Sequence, residues 1–558
     1  MITTTLASIG ICRGRGCCGL AIVLLLVSVL VTNTNCYATA DASLDTPAGT
    51  AAEPTCSAQE GDETDPNLRR LTFDIGYGEE TFDFYVRPDV STYYQEAAGT
   101  RTPMTPRAIG FAGKWVNLSS ERLLLFWDPG SGEAGSLIGA AGPFESAGTA
   151  TFPNHKFYFA KPDDPNNNIV ARFVAKPGHS VMYYDPYDVP GDEEATKRNL
   201  QSLTLDQYEK YEAQKRTRLF NDKYREVTGR DYLAIYPRAK PRYFHWPAEY
   251  FGQVHWVTSR DTHFDALPPQ DKLGQITAKG KERVIGDGEP RLLQEYRTEQ
   301  PVLNMTLEVL SSAPRVFQID NFLSGVEVDH ILELAGGMNL KKSTTGQGGG
   351  VTADNRSTRT SLNTWVNRET TPIIDSIYRR AADLLRVDEA LVRKRDKDEL
   401  EDLVPESRAS IAEPLQLVHY GVGQEYTAHH DYGYTNSNDV LQPQRFATLL
   451  LYLNEPEAGG ETTFPRWINA ETRDALKATP KRGKAVLFYS YLPDGNMDDL
   501  SQHSAAPVTE GEKWLINLWV SFFFSQKESN RFECCLRQLT TLLSLLSLSA
   551  CKLLYMYR

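Results

Sequence analysis

Residues 426–433 read YTAHHDYG, and three of them in a row, His429, His430 and Asp431, can each bind a metal or move a proton. Side chains on a β-strand alternate faces with a period of two. On a strand, His429 and Asp431 would therefore share one face, and His430 would point the other way, a decoy ligand. A His-x-Asp pair supplies one imidazole nitrogen and one carboxylate oxygen on the same side. With one distant histidine it becomes the facial triad of a non-haem Fe(II) oxygenase, which leaves coordination positions open. Of the ten histidines only His503 lies beyond Asp431, in SQHSAAPVTEGEKW. Lys513 follows ten residues later, after a TEGE turn, and a hairpin of that length places it on a neighbouring strand. A buried cation beside an open iron needs an anionic partner, and the distal carboxylate of 2-oxoglutarate would serve.

The elements that must position these residues follow from the pattern. LQLVHY, RFATLLLYL, AVLFYSY and KWLINLWVSFFF read as strands around the motif. Upstream, PRVFQIDNFLSGVEVDHILELA reads as a strand, a turn at Leu323–Ser324–Gly325 and an amphipathic helix. TPIIDSIYRRAADLL, 371–385, reads as a second amphipathic helix with Ile374, Ile377, Ala381 and Leu384 on one face. The charged run RKRDKDELED, 393–402, reads as a solvated insertion.

The ordered segments PRVFQIDNFLS, STRTSLNTWV, EPLQLVHYGVGQEYTAHHD, RFATLLLYLNEPEAGGETTFP, KRGKAVLFY and HSAAPVTEGEKWLINLWV resemble the catalytic domain of prolyl 4-hydroxylases of the collagen and plant type. That resemblance covers 314 to about 526 and implies a double-stranded β-helix, or jelly roll, flanked by helices. It implies Fe(II), 2-oxoglutarate as co-substrate, and ascorbate. It matches His429, Asp431 and His503 to the iron ligands, and Lys513 to the lysine that binds the co-substrate carboxylate. Relatives that hydroxylate lysine or sense oxygen generally use arginine there. Tyr420 and Thr462 match positions that assist 2-oxoglutarate binding. Tyr426 and Trp519 match aromatics of the peptide groove, Arg445 a basic residue near the target proline, and Arg359, Ser361 and Glu413 polar groove positions. Tyr420 and Trp519 could equally be core, and Arg359 a surface charge. The activity implied is hydroxylation of peptidyl proline with O2, releasing succinate and CO2, on proline-rich or collagen-like polypeptides. Two other readings stay open: hydroxylation of another side chain, or a hydroxyproline-binding protein with an inactive oxygenase fold.

The rest of the chain sets the setting. With 558 residues, two or three domains are expected. A net charge of −13 argues against non-specific nucleic-acid binding, which needs a basic face. Residues 1–40 carry Arg13 and Arg15, a twelve-residue apolar run at 20–31 broken only by Ser28, and the small-x-small ATA at 38–40, the pattern of a signal peptide or, failing cleavage, a membrane anchor. This predicts entry to the secretory pathway and the endoplasmic reticulum lumen or membrane. The sequons at Asn117, Asn304 and Asn355 then become glycosylation candidates. No cysteine lies between 57 and 533, so no disulfide staples the interior.

Residues 41–66 read as a linker, and 67–190 as an all-β, sandwich-like domain of short aromatic strands. WVNLSSERLLLFWDPGSG with GTATFPNHKFYF resembles, over about fifty residues, the β-domain of the von Hippel–Lindau tumour suppressor. Thr151, His155 and Phe157 match the edge that in that family can hold a hydroxylated proline; the alternative is a β-sandwich with a surface histidine. Residues 191–313 read as a mixed connector. Within it Thr204 and Gln207 form a capping box, Gly229 marks a helix stop, and Leu205, Tyr208, Tyr211 and Ala213 make a partial apolar face. His245 and His255 read as structural. The tail, 527–558, is apolar enough for a tail anchor, a packed helix, or a reading-frame error.

Overall fold

The computed structural model describes residue 65 and most of 67–522, apart from 75–77, 88–109, 131–134, 164–167, 235–242, 270–290, 344–357, 396–407, 434–443, 468 and 471–475. The signal-peptide and tail readings, the linker apart from Asp65, which pairs with Arg315 at 2.5 Å, the sequon at Asn355 and most of the 393–402 run lie outside these residues. No helix among the described residues is long and apolar enough to cross a membrane.

Eight strands build the catalytic sandwich: β1 Leu415–Tyr420, β2 Tyr426–His429, β3 Gln444–Tyr452, β4 Thr462–Phe464, β5 Leu476–Ala478, β6 Ala485–Tyr489, β7 His503–Ala505 and β8 Lys513–Phe522. They divide between two antiparallel sheets, in the order β6-β3-β8-β1 in one and β2-β7-β4-β5 in the other. This alternation between two facing sheets is the jelly-roll arrangement. The larger sheet does not stop at the expected boundary of 314. It continues outward from β6 through Arg315–Ile319, Leu303–Ala313 and Val254–Ser259, and on the other side through Leu362–Val366. A connector cannot be told from an edge strand when both are short and aromatic.

Among the described residues three α-helices are longer than eight residues. Helix α1, Leu205–Thr228, starts at the Thr204–Gln207 capping box and ends at Gly229 with φ +72°, as its sequence implies. Its buried residues are Tyr211, Phe220, Asn221 and Tyr224, whereas Leu205 and Tyr208 are exposed, so the apolar face lies one turn and more further along than expected. Helix α2, Gly325–Gly336, is capped by Ser324 and Glu327. Helix α3, Pro372–Leu385, is amphipathic as expected, with Ile374, Ile377, Ala381 and Leu384 in the core, and most of its other side is buried as well. Its polar side is absorbed by ion pairs: Arg380 Nη2 to Glu327 at 2.7 Å, with both side chains fully buried, and Arg379 Nε to Asp261 at 2.8 Å. Periodicity could not show these partners, because they lie more than fifty residues away.

Between 111 and 184 two sheets face each other. One has strands 146–151, 111–117 and 181–184; the other has 136–141, 123–128, 156–160 and 169–174. Phe111, Trp115, Leu123, Leu125, Phe157 and Phe159 fill the space between them. Thr151 and Phe157 are buried, and His155 Nδ1 lies 3.3 Å from Thr151 Oγ1 with its ring 5.8 Å from Trp127. Asn117 is fully buried, its amide donating to the carbonyls of Glu121 and Gly142, which removes it as a glycan acceptor in the folded chain. Asn304 is exposed. His245 and His255 both serve structure, bonding the carbonyls of Tyr491 at 3.0 Å and Pro247 at 2.7 Å.

Candidate active site

A cavity of about 270 Å³ opens between the two sheets of the jelly roll. Strands β2 and β7 pair so that His429 stands directly opposite His503. Their ring centroids are 4.4 Å apart. Strand β2 ends at His429, and Asp431 lies two residues on, in a bend rather than on the strand. The alternation nevertheless carries through: Asp431 Oδ1 is 3.7 Å from His429 Nε2, and Asp431 Oδ2 is 3.7 Å from His503 Nε2. One ligand atom from each of the three lies within 4.8 Å of the others. His430 turns away, as expected, and bonds the Asp499 carbonyl at 3.0 Å.

Each ligand is held from behind. His429 Nδ1 meets the Thr427 carbonyl at 2.8 Å and His503 Nδ1 the Ser501 carbonyl at 3.1 Å, so both rings turn Nε2 inward. The Tyr426 ring stacks on His429 at 3.6 Å. Asp431 Oδ2 accepts from the Thr448 hydroxyl at 2.6 Å and from the Trp519 indole N–H at 3.0 Å, which leaves Oδ1 as the freer oxygen. Burial alone would raise the Asp431 carboxyl. The His503 and His429 imidazoles, Arg445 and the Thr448 hydroxyl outweigh it and hold it well below the usual carboxylate range. Burial pushes both imidazoles down, that of His429 further because His503 faces it. The set is therefore an anionic oxygen between two neutral imidazoles, the protonation state a divalent metal requires.

Lys513 is fully buried, and its Nζ has no hydrogen-bond partner among the described residues. It does not sit on a strand next to β7. Strand β8 belongs to the facing sheet, because a short strand, Val508–Glu510, intervenes and sends the chain across the sandwich. Its Nζ lies 5.4 Å from the Tyr420 ring and 5.6 Å from that of Tyr452. Burial lowers its pKa to about 7, Glu461 opposing only in part. An orphaned amine in an aromatic site, behind a cavity whose wall includes Tyr420 and Thr462, fits the carboxylate of 2-oxoglutarate. Thr462 is buried and accepts from Tyr452 Oη at 2.8 Å. The turn before it needs glycine: Gly459 has φ +77°, and a Cβ there would lie 2.4 Å from the Pro507 carbonyl oxygen.

The cavity brings together Arg359, Tyr420, Tyr426, His429, Asp431, Arg445, Thr462, His503 and Trp519. Tyr420 and Trp519 are buried yet line it, so they serve core and site together. Arg359 is no surface charge: it is buried, lies over the Tyr426 ring at 4.7 Å and donates to Gln416 at 3.1 Å. Arg445 stacks on Trp519 at 3.7 Å. Two expected groove residues stand outside the cavity. Ser361 is fully buried and accepts from Arg359 Nε at 3.2 Å, and Glu413 clamps Arg445 with bonds of 2.6 and 2.8 Å. Both hold a lining arginine instead of lining the groove themselves. Thr448, Trp365, Gln416 and Asn517 went unread. Thr448 had a signal, as the lone polar residue within FATLLLY, and it faces Trp519 across β3 and β8.

Residues 415–521 match the family model of the 2OG-Fe(II) oxygenase superfamily. Over 225 residues the chain is 34% identical to probable prolyl 4-hydroxylase 8 of Arabidopsis thaliana, covering 38% of this chain and 70% of that one. It is also 34% identical to probable prolyl 4-hydroxylase 3 of the same plant, covering 71% of it. A viral collagen prolyl hydroxylase of Paramecium bursaria Chlorella virus-1, solved with 2OG, is 26% identical, with 95% of that chain and 37% of this one covered and a TM-score of 0.26. With an Fe(II) and 2-oxoglutarate requirement set by its oxygenase domain, the chain belongs to the prolyl 4-hydroxylase family.

Proposed function

We propose that this protein hydroxylates C4 of proline within extended, proline-rich polypeptides of the collagen or cell-wall type, on a secretory route that begins at its N-terminal apolar run. The observation that supports this most is the pairing, in one sandwich, of the His429–Asp431–His503 cluster with the unpartnered amine of Lys513. His429, Asp431 and His503 would hold the iron, and Lys513 would pair with the co-substrate carboxylate, helped by Thr462 and Tyr420. The iron, when bound, activates dioxygen so that one oxygen enters the substrate and the other leaves with succinate, CO2 being released.

The protein's own part is orientation and exclusion of water. The Thr427 and Ser501 carbonyls fix the tautomers that expose Nε2. The two imidazoles, Arg445 and Thr448 keep Asp431 ionised, and Thr448 and Trp519 aim it. At the mouth, Tyr426, Trp519 and Trp365 present rings to the cavity, and Trp365 is 45% exposed and 5.9 Å from Trp519. Aromatic walls of this kind pack on prolines held in a polyproline II conformation. Mass spectrometry of polyproline and collagen-like peptides, after incubation with protein, Fe(II), 2-oxoglutarate and ascorbate, tests the reading. A gain of one oxygen on proline, absent with Asp431→Ala, is expected. Succinate release without a hydroxylated proline would discard the substrate assignment.

A further inference from the structure

The loop 490–502 between β6 and β7 leads directly into His503, and it is held by residues from far upstream. Asp494 accepts from the Tyr85 N–H at 2.8 Å and from Tyr224 Oη at 2.7 Å. Asn496 accepts from the Leu233 N–H at 2.8 Å. Asp499 accepts from the Ala112 N–H at 2.8 Å and from Arg466. Arg87 Nη2 pairs with Asp498 Oδ1 at 2.6 Å, with the two side chains 15% and 4% exposed.

The Arg87 contact reaches the metal cluster through Asp498 and Ser501. Asp498 caps the single turn Asp499–Ser501: its Oδ1 accepts from the Leu500 N–H at 3.0 Å, and its carbonyl accepts from Ser501 Oγ at 2.7 Å. The carbonyl of that same Ser501 sets the His503 ring. The turn is short and has no helix behind it, so its geometry depends on the cap. Asp499, next in the turn, holds His430 and with it the end of β2 that carries His429 and Asp431.

We propose that Arg87 is a positioning residue of the metal centre: by pinning Asp498 it fixes the Ser501 carbonyl, and so the direction in which His503 presents Nε2. The chain upstream of the jelly roll then has a role in metal affinity as well as in bulk. The proposal rests on the assignment of His503 as a ligand.

The test is titration of Co(II) into the full-length metal-free protein, followed by the d–d absorption of the bound ion. Arg87→Ala is expected to weaken Co(II) binding about three-fold or more, short of the ten-fold or more that loss of a direct partner of a ligating histidine costs. It should also shift the Co(II) spectrum while circular dichroism stays that of the wild type. Arg87→Lys should restore most of the affinity. Asp498→Asn keeps the cap but loses the charge, and should weaken binding less; it also serves if Arg87→Ala does not fold. The double variant should be no worse than Arg87→Ala. Arg70→Ala, which removes an exposed pair with Asp83 in the same upstream region, should leave binding unchanged.

Wild-type affinity and spectrum in both Arg87→Ala and Asp498→Asn would overturn the proposal. So would an equal loss in Arg70→Ala, which would mean general loosening. If His503→Ala binds Co(II) as tightly as wild type, the ligand assignment itself has failed, whatever Arg87 does.

Discussion

The two pairs of β-sheets of this chain, those between 111 and 184 and those of the jelly roll, are made from the same kind of sequence and keep opposite kinds of interior. Between 111 and 184 the buried polar residues are Asn117, Ser119 and Thr151, and each is neutral and hydrogen-bonded. The jelly roll buries Lys513 without a partner, places Asp431 between two imidazoles, and encloses Arg359 beneath an aromatic ring. The first interior holds no charged side chain among its described buried residues. The second leaves the Lys513 amine with no hydrogen-bond partner among the described residues, and that cost is the sign of a ligand still to come.

Substitutions in each interior should therefore differ in kind. Asp431→Ala should abolish hydroxylation, by more than about 10³-fold, and remove stoichiometric iron, read by metal analysis and turnover, with the fold intact by circular dichroism. Trp115→Ala empties the other core, where the ring is fully buried 4.2 Å from Phe157. It should cost about 3–5 kcal/mol in denaturant unfolding, while the protein that stays folded keeps its kcat.

Lys513→Met should move stability the other way. The unfolded lysine titrates near 10.5 and the buried one near 7, so between these values the unfolded chain binds more protons and wild-type stability rises with pH. The burden is complete below about pH 7 and gone above 10.5. The variant should accordingly melt higher than wild type at pH 6, with the gap closing toward pH 10 in scanning calorimetry without ligand.

Thr448→Val keeps the shape of the strand but frees Asp431 Oδ2 from its 2.6 Å partner. Iron affinity should drop about ten-fold, with Trp519 alone still aiming the carboxylate. The smallest effect belongs to Trp365→Leu at the mouth: about a three-fold rise in peptide KM with kcat and 2-oxoglutarate affinity unchanged, since the ring touches neither ligand set.

What the sequence made legible was local. His-x-Asp works by strand periodicity, and that reasoning found the His429 and Asp431 side even though Asp431 lies past the strand end. The capping box from Thr204 to Gln207 lies within a single helical turn, and it formed. What stayed hidden was set by partners distant in the chain. The burial of the other side of α3 depends on Asp261 and Glu327, and the grip on the 490–502 loop depends on residues about 260 to 410 positions upstream. Lys513 was identified by its match to the prolyl 4-hydroxylase motif and by the need for an anion's partner, but its sheet was misjudged, because a three-residue strand is too short to read from hydrophobic alternation. Ser361 and Glu413 matched groove positions in the motif, yet each proved to be the partner of an arginine.

The most direct measurement is anaerobic calorimetry of 2-oxoglutarate binding to the metal-loaded protein, wild type beside Lys513→Met, in buffers of differing ionisation enthalpy. In the wild type, binding near pH 8 should take up a proton, because the mostly neutral amine must become charged to pair with the carboxylate. In the variant the uptake should vanish and the affinity fall by about a hundred-fold, with metal content unchanged. Equal affinity and no proton uptake in either protein would contradict the placement of the co-substrate on Lys513, and with it the reading of the jelly-roll interior as an iron and 2-oxoglutarate site.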